Sequence, residues 1–303
     1  METVFIAGCN GLLGQKLVQQ FMNDYEVYGG DVQPESYLPP NIFHYEPLDI
    51  TQRQNTVKFI TKTKPAFIIN AAAFTNVDGA EKEKELCWQI NVMGIENLTV
   101  AARKVQAHLV QVSTDYIFDG TNGPYRETDS PNAIGFYGKS KLAAENVIMG
   151  TTINWSIVRT MVLYGTGIKV RPNFVTWLIA QLRAGKQLTI VDDQFGNPTL
   201  ADDLARGIFQ LVRQHKTGIF NMTGADILNR YEFSLLVAEV FDLDQTLIVP
   251  IKTRELNQPA PRPLNSGFIL EKARQKLGIS FLTARESLLV LKKQLEENLL
   301  RNL

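Results

Sequence analysis

Residues 4–14 read VFIAGCNGLLG, and the order of events in this stretch decides the fold. A β-branched and aromatic run leads into Gly8, Gly11 and Gly14, after which Leu12, Leu13, Leu17, Val18 and Phe21 recur at helical spacing. Strand, glycine turn and helix in that sequence open a dinucleotide-binding βαβ unit. Glycine permits the tight turn, lets backbone N–H groups approach a pyrophosphate at the positive end of the helix, and lets the helix lie close on the sheet. The expected cofactor contacts here are Gly8, Asn10, Gly11, Leu12, Leu13 and Gly14. Asp31 ends the second strand-like run about 20 residues after Gly11, where the fingerprint wants a carboxylate for the ribose hydroxyls. A carboxylate there repels a 2′-phosphate, and GGDVQPES (29–36) contains no Arg or Lys to attract one. NADH is therefore favoured, with NADPH as the second candidate.

Outward from that loop, short runs of strand-forming residues (TVFIA, EVYGG, AFIINA, HLVQVST, WSIVRT) alternate with helical patterns such as Thr51 to Lys62 and Trp88 to Val105. Alternation of this kind predicts an α/β protein with a doubly wound parallel sheet of Rossmann type. After about residue 165 the regularity fades and Pro-rich stretches appear (VRPNF, GNPT, QPAPRPLN). The expected organisation is a dinucleotide-binding domain over 1–165, with later segments returning to its sheet, and a smaller α/β substrate-binding lobe interleaved through 166–303. The last segment, Thr283 to Asn302, carries Leu288, Leu291, Leu295 and Leu299 at helical spacing, a stripe expected to pack on its own domain.

A chain of 303 residues can bury a sizeable core, and 31 basic residues balance 31 acidic ones without a basic tract. The electrostatic footprint of a nucleic-acid binder is missing, so no nucleic-acid partner is expected. Cys9 and Cys87 are far apart and outside any C-x-x-C spacing, which suits plain thiols in a reducing compartment. No run of 18 apolar residues occurs and METVFIAG enters a strand directly, so the reading is a cytoplasmic protein with no membrane partner.

IGFYGKSKL (134–142) sets Tyr137 and Lys141 four apart, on one face of a helix. A free phenol titrates near pH 10, and a neighbouring ammonium is expected to lower that value and make the phenol a better acid. The fifth strand ends VQVSTDYIFDG, which places Ser113, Thr114, Asp115 and Tyr116 at the carboxyl edge of the sheet, where ligands of open α/β folds bind. A hydroxyl there can hydrogen-bond the reacting oxygen. His44, His108 and His215 have no partnered carboxylate in sequence and are read as structural.

The GxxGxxG spacing, the strand-end hydroxyl and Y-x-x-x-K together resemble the short-chain dehydrogenase/reductase superfamily. Within it, NAAAFTNVDGAE (70–81), STDYIFDG (113–120), PYRETD (124–129), YGKSKLAAE (137–145), DDQFGNPT (192–199) and RPLNS (262–266) resemble the dTDP-4-dehydrorhamnose reductases over nearly the whole chain. The resemblance implies reduction by NAD(P)H of the C4 ketone of dTDP-4-dehydro-6-deoxy-L-mannose, giving dTDP-L-rhamnose. It implies Tyr137 as proton donor, Lys141 as the group that tunes it and holds the nicotinamide ribose, and Thr114 as the ketone's hydrogen-bond partner. It further implies that Asp49 and Ile50, read as ending the third strand, lie along the cofactor with Ala71, Ala72 and Ala73. Thr75, Val77, Asp115, Tyr116, Asn173, Gln194 and Arg262 would meet the substrate, Arg262 by contact with a diphosphate.

Sugar-nucleotide 4,6-dehydratases usually carry Asp-Glu after the Thr, whereas here Asp115 and Tyr116 follow, which disfavours a dehydratase. Some rhamnose reductases pair through magnesium held by glutamates. This chain has Gln15, Lys186 and Gln187 at those places, so no metal is expected and a homodimer is left open. Two alternatives stand beside the reductase: another sugar-nucleotide ketoreductase or epimerase, and a non-catalytic subunit resembling the methionine adenosyltransferase β subunit.

Overall fold

The computed structural model describes residues 1–301 and, of these, the side chains as far as residue 297. The chain begins β1 (Thr3–Ala7), α1 (Leu12–Phe21), β2 (Glu26–Asp31), β3 (His44–Pro47), α2 (Arg53–Thr63) and β4 (Phe67–Asn70). It continues through α3 (Val77–Lys82), α4 (Lys84–Trp88), α5 (Gly94–Val105), β5 (His108–Thr114), α6 (Phe136–Met149) and β6 (Trp155–Thr160). An excursion follows as β7 (Leu163–Tyr164), α7 (Phe174–Arg183), β8 (Leu188–Val191), β9 (Phe195–Gly196) and β10 (Thr199–Leu200), before α8 (Ala201–Arg213) and β11 (Gly218–Asn221). The rest is β12 (Leu228–Asn229), α9 (Arg230–Val240), β13 (Ile248–Ile251), α10 (Glu271–Leu277) and α11 (Ala284–Arg301).

Seven strands form the expected parallel sheet in the order β3-β2-β1-β4-β5-β6-β11. Every residue of β4 is buried, as are nearly all of β1 and β5, so these strands read as continuous apolar runs rather than alternating ones. One face of the sheet is covered by α1 and α8, with Leu17, Phe21, Leu204 and Ile208 at its centre, and the other by α2, α5 and α6 through Ile60, Ile95, Leu98 and Ile148. Because the strand order reverses between β1 and β4, a crevice opens at their carboxyl ends.

Two local readings are corrected. The third strand stops at Pro47, so Asp49 and Ile50 lie just beyond its end. The single helix expected over Trp88 to Val105 is α4, one π-helical turn (Gln89–Met93) and α5. That wider turn brings in Asn91, whose side chain accepts from Phe74 N–H at 2.8 Å and donates to Ser140 Oγ at 2.9 Å, tying α6 to the loop after β4. The sheet is finished by β11, a later segment returning to it as expected, though this four-residue strand has no pattern long enough to read by itself.

The smaller lobe is built on three two-stranded pairs, β7 with β10, β8 with β13 and β9 with β12. Its core joins Leu178 of α7, Phe233 and Val237 of α9, and Leu288 and Leu291 of α11, with Leu295 packed against them. The leucine stripe thus covers its own lobe; the side chain of Leu299, and Asn302, lie outside the described residues. Among the described residues no helix is long and apolar enough to cross a membrane.

Candidate active site

At the glycine loop the backbone is packed so closely that side chains would not fit. Gly8 has φ +76°, and a Cβ there would lie 2.7 Å from Ala72 N; one on Gly14 would lie 2.0 Å from Gly8 O. Gly11 precedes α1 and no side chain caps the helix, which leaves its first-turn N–H groups free for an anion. These features fit a dinucleotide pyrophosphate. Leu13 is buried in the sheet core, so only its backbone can serve a ligand. Asp31 accepts from Asn10 N–H at 3.2 Å. Asn10 turns its own amide toward the following loop, accepting from Tyr37 N–H at 2.8 Å and donating to Glu35 O at 2.9 Å. The small residues Ala71, Ala72 and Ala73 follow β4 directly beside Gly8. Asp49 accepts from Thr51 N–H at 2.9 Å, and Asn97 holds the Ile50 carbonyl at 2.9 Å, so this pair is fixed from α5.

Tyr137 and Lys141 sit in the first turns of α6, both buried. Gly135 supplies no side-chain cap; the carboxylate of Glu81, on α3, instead accepts from Phe136 N–H at 2.7 Å. Gly138 lets the helix press on the chain after β5, since a Cβ would lie 2.0 Å from Tyr116 O. Lys141 Nζ donates to Val112 O of β5 at 2.7 Å. Thr114 donates its hydroxyl proton to Asp115 Oδ1 at 3.0 Å and accepts from Tyr116 N–H at 3.2 Å. Ser113 faces inward, buried.

The electrostatics correct one expectation. The Tyr137 phenol is held above its ordinary value: burial is the main cause, the Asp115 carboxylate adds to it, and contact with Thr114 pulls the other way. Lys141 does not offset this, because its ammonium is tied to the Val112 carbonyl and is itself lowered to about 8 by burial, against Glu145 and Cys87. The phenol therefore holds its proton at neutral pH but is a weaker acid than a free tyrosine, and gives that proton only to an oxygen made strongly basic, as a carbonyl oxygen becomes on reduction. Asp115 is likewise pushed up by burial, while hydrogen bonds from Ser266 (2.7 Å) and Thr114 oppose the shift.

Beside Thr114 lies a pocket lined by Asp115, Tyr116, Gln194, Arg230, Arg262 and Ser266. Four of the expected substrate residues therefore converge: Asp115, Tyr116, Gln194 and Arg262. Arg262 is gripped in a two-bond pair by Asp78, at 2.9 and 2.7 Å, and Gln194 donates to Thr253 Oγ1 at 3.0 Å. Asn173 spends its amide on structure, capping α7 through Thr176 N–H and donating to Gly165 O at 2.7 Å. Thr75 is exposed ahead of α3, and Val77 packs in the cluster around Tyr137.

Sequence reading missed Arg230. It is the first residue of α9, where a cation opposes the helix dipole, and that misplacement is the signal that could have found it. Its guanidinium lies 5.2 Å from the Phe174 ring centroid and forms no ion pair with a carboxylate among the described residues. Burial, first of all, weakens its hold on a proton. No histidine enters the site: His44 stacks on Tyr28, His108 pairs with Ser156 at 2.8 Å, and His215 packs against Phe67. Cys9 and Cys87 are buried free thiols. Gln15 is committed to the backbone of Ile168, and no cluster of metal-binding side chains occurs among the described residues.

The sequence pattern of the RmlD substrate binding domain matches residues 1–296. The chain belongs to that family. Within the RmlD family it is 32% identical to dTDP-4-dehydrorhamnose reductase of Aggregatibacter actinomycetemcomitans over 92% of this chain and 94% of the relative. It is also 32% identical to methionine adenosyltransferase 2 subunit beta of Xenopus tropicalis, over 90% of this chain and 82% of that one. Among solved structures, dTDP-4-dehydrorhamnose reductase of Bacillus anthracis in complex with NADP superposes with a TM-score of 0.88 at 30% identity, covering 97% of this chain and 99% of that one. By kinship the chain is a dTDP-4-dehydrorhamnose reductase-like oxidoreductase with the extended fold of its superfamily.

Proposed function

We propose that the protein reduces the C4 ketone of dTDP-4-dehydro-6-deoxy-L-mannose to dTDP-L-rhamnose, with Tyr137 as the proton donor. The observation that carries this reading is the convergence of a buried, protonated Tyr137, the strand-end hydroxyl of Thr114 and an arginine-lined pocket at one edge of the sheet. A dihydronicotinamide bound along Gly8 to Gly14 and Ala71 to Ala73 supplies the hydride. Tyr137 gives its proton to the carbonyl oxygen as charge develops there. Thr114 releases Asp115 and turns its hydroxyl onto the same oxygen, where a hydrogen bond is strongest once the oxygen carries charge. Asp115, held by Ser266, keeps Thr114 in place until substrate arrives. Arg230 and Arg262 face the diphosphate, with Asp78 presenting the Arg262 fork. Asp31 receives the adenosine ribose hydroxyls, an arrangement that suits NADH.

The methionine adenosyltransferase relative supports a second reading, a binding subunit that retains the dinucleotide fold. AAFTNVDGAE and RPLNS, which read closer to the reductases, weigh against it. NADH absorbance is followed after adding dTDP-4-keto-6-deoxyglucose with and without a 3,5-epimerase. Epimerase-dependent oxidation supports the rhamnose reaction, and oxidation without epimerase points to a different ketosugar. Silence with NADH and NADPH, while either cofactor still binds, favours the binding subunit.

A further inference from the structure

We propose that Lys169, on the loop between β7 and α7, receives the 2′-phosphate of NADPH, so that the chain accepts both nicotinamide dinucleotides. The assignment rests on the dinucleotide reading of the glycine loop. It begins with Gln15, which is 1% exposed in the second turn of α1. Its side chain holds both backbone groups of Ile168: Oε1 accepts from Ile168 N–H at 2.9 Å and Nε2 donates to Ile168 O at 2.8 Å. The same Nε2 donates to Asn10 O at 2.8 Å, so the β7–α7 loop and the glycine loop share one anchor. Gly167 permits this approach, because a Cβ there would lie 2.9 Å from Gln15 Oε1.

From that anchor the chain turns sharply. Lys169 has φ +54°, a left-handed conformation that costs a residue with a side chain about 1 kcal/mol, and so the surroundings must hold it there. Its Nζ lies 5.3 Å from the centroid of the Tyr37 ring. Tyr37 N–H is bonded to Asn10 Oδ1 at 2.8 Å, and Asn10 N–H to Asp31 Oδ2 at 3.2 Å. Lys169, Tyr37, Asn10 and Asp31 are thus a continuous series of contacts at the end of β2, where this fold places the adenosine ribose. Lys169 makes no ion pair with a carboxylate among the described residues.

Residues 32–38 (VQPESYL) contain no cation, which is why a search along the chain from Asp31 finds nothing to hold a phosphate. The fold supplies one from a distant loop. Asp31 alone would repel a 2′-phosphate, and an ammonium delivered over Tyr37 offsets that repulsion while leaving the carboxylate free for ribose hydroxyls. The Tyr37 ring face attracts the ammonium and limits where the flexible lysine carries it.

The test is fluorescence titration of the purified protein with NADH and with NADPH, for the wild type, Lys169→Ala and Lys169→Arg, at low and high salt. The expected result is that the wild type binds both, and that Lys169→Ala weakens NADPH by about tenfold and NADH by less than about twofold. Lys169→Arg restores NADPH binding, and in the wild type salt weakens NADPH more than NADH. Equal loss of both cofactors in Lys169→Ala, or no loss of either, overturns the assignment while leaving the reductase reading intact. A wild type that binds neither dinucleotide overturns the reading of the glycine loop and this assignment with it. No sugar substrate enters the measurement, so the two failures are separable.

Discussion

The two ends of the proposed site are built by opposite means. At the glycine loop the main chain does the work: Gly8 and Gly14 have no room for a Cβ, and α1 offers N–H groups with no side-chain cap. In the pocket beside Thr114 side chains line the space: Arg230 and Arg262 are brought from separate segments, and Arg262 is held by Asp78 from a third. Backbone recognition ties ligand binding to the fold itself, so that damage there is damage to stability. Side-chain recognition can be altered one residue at a time.

The largest expected effect falls where the two meet. Tyr137→Phe removes the proton donor and should lower turnover by about 10²–10⁴-fold in the NADH oxidation assay, with dinucleotide affinity unchanged. A comparable loss of NADH affinity would mean that Tyr137 holds the cofactor rather than the proton. Gly14→Ala should remove about 3 kcal/mol or more of stability in a denaturant melt, because its Cβ would lie 2.0 Å from Gly8 O. A variant as stable as the wild type would show that the loop can relax, and the contrast between the two ends would disappear. Arg230→Gln should raise the KM for the sugar nucleotide by about 10–100-fold and leave both the melt and NADH affinity alone. If it destabilises the protein instead, the cation is part of the lobe's packing.

The smallest effect is one of pH. Lys141, which the family resemblance assigns to the nicotinamide ribose, is lowered to about 8, so its charge is present below that pH and lost above it, and with that role turnover should have fallen about twofold at pH 8 and keep falling beyond. The stability sign is opposite: the unfolded chain binds this proton more tightly than the folded one, so Lys141 makes folding more favourable as pH rises from about 8 to 10.5. Lys141→Arg should move the fall in turnover to higher pH. An unmoved profile would assign it to another group.

Legibility followed the same division. The glycine turn, strands β1, β2, β4, β5 and β6 and the spacing of Tyr137 and Lys141 are local patterns, and the sequence displays them because each is set by neighbours along the chain. Arg230 was hidden because its partners in the pocket come from residues 115, 194, 262 and 266. Glu81 was hidden as a cap for α6 because nothing near Phe136 announces it. The expected lowering of the Tyr137 phenol failed for a related reason: spacing places Lys141 on the right face, but burial and the Val112 carbonyl decide what the ammonium does.

The strand β11 has a consequence for how the molecule could be divided. It closes the sheet beside β6, yet the chain reaches it only after β7 to β10 have been laid down in the other lobe. Its companion α8 supplies Leu204 and Ile208 to the core against α1. A fragment ending near residue 165 would leave the six-residue strand β6 as a bare sheet edge and strip the apolar face of α1, an invitation to aggregate. The nucleotide-binding half is therefore not a cassette: the chain returns to the sheet core at α8 and β11 and again at α10, so exchanging lobes between relatives would require grafting several crossings of the boundary at once, whereas a single cut at the apparent seam would split one cooperative unit.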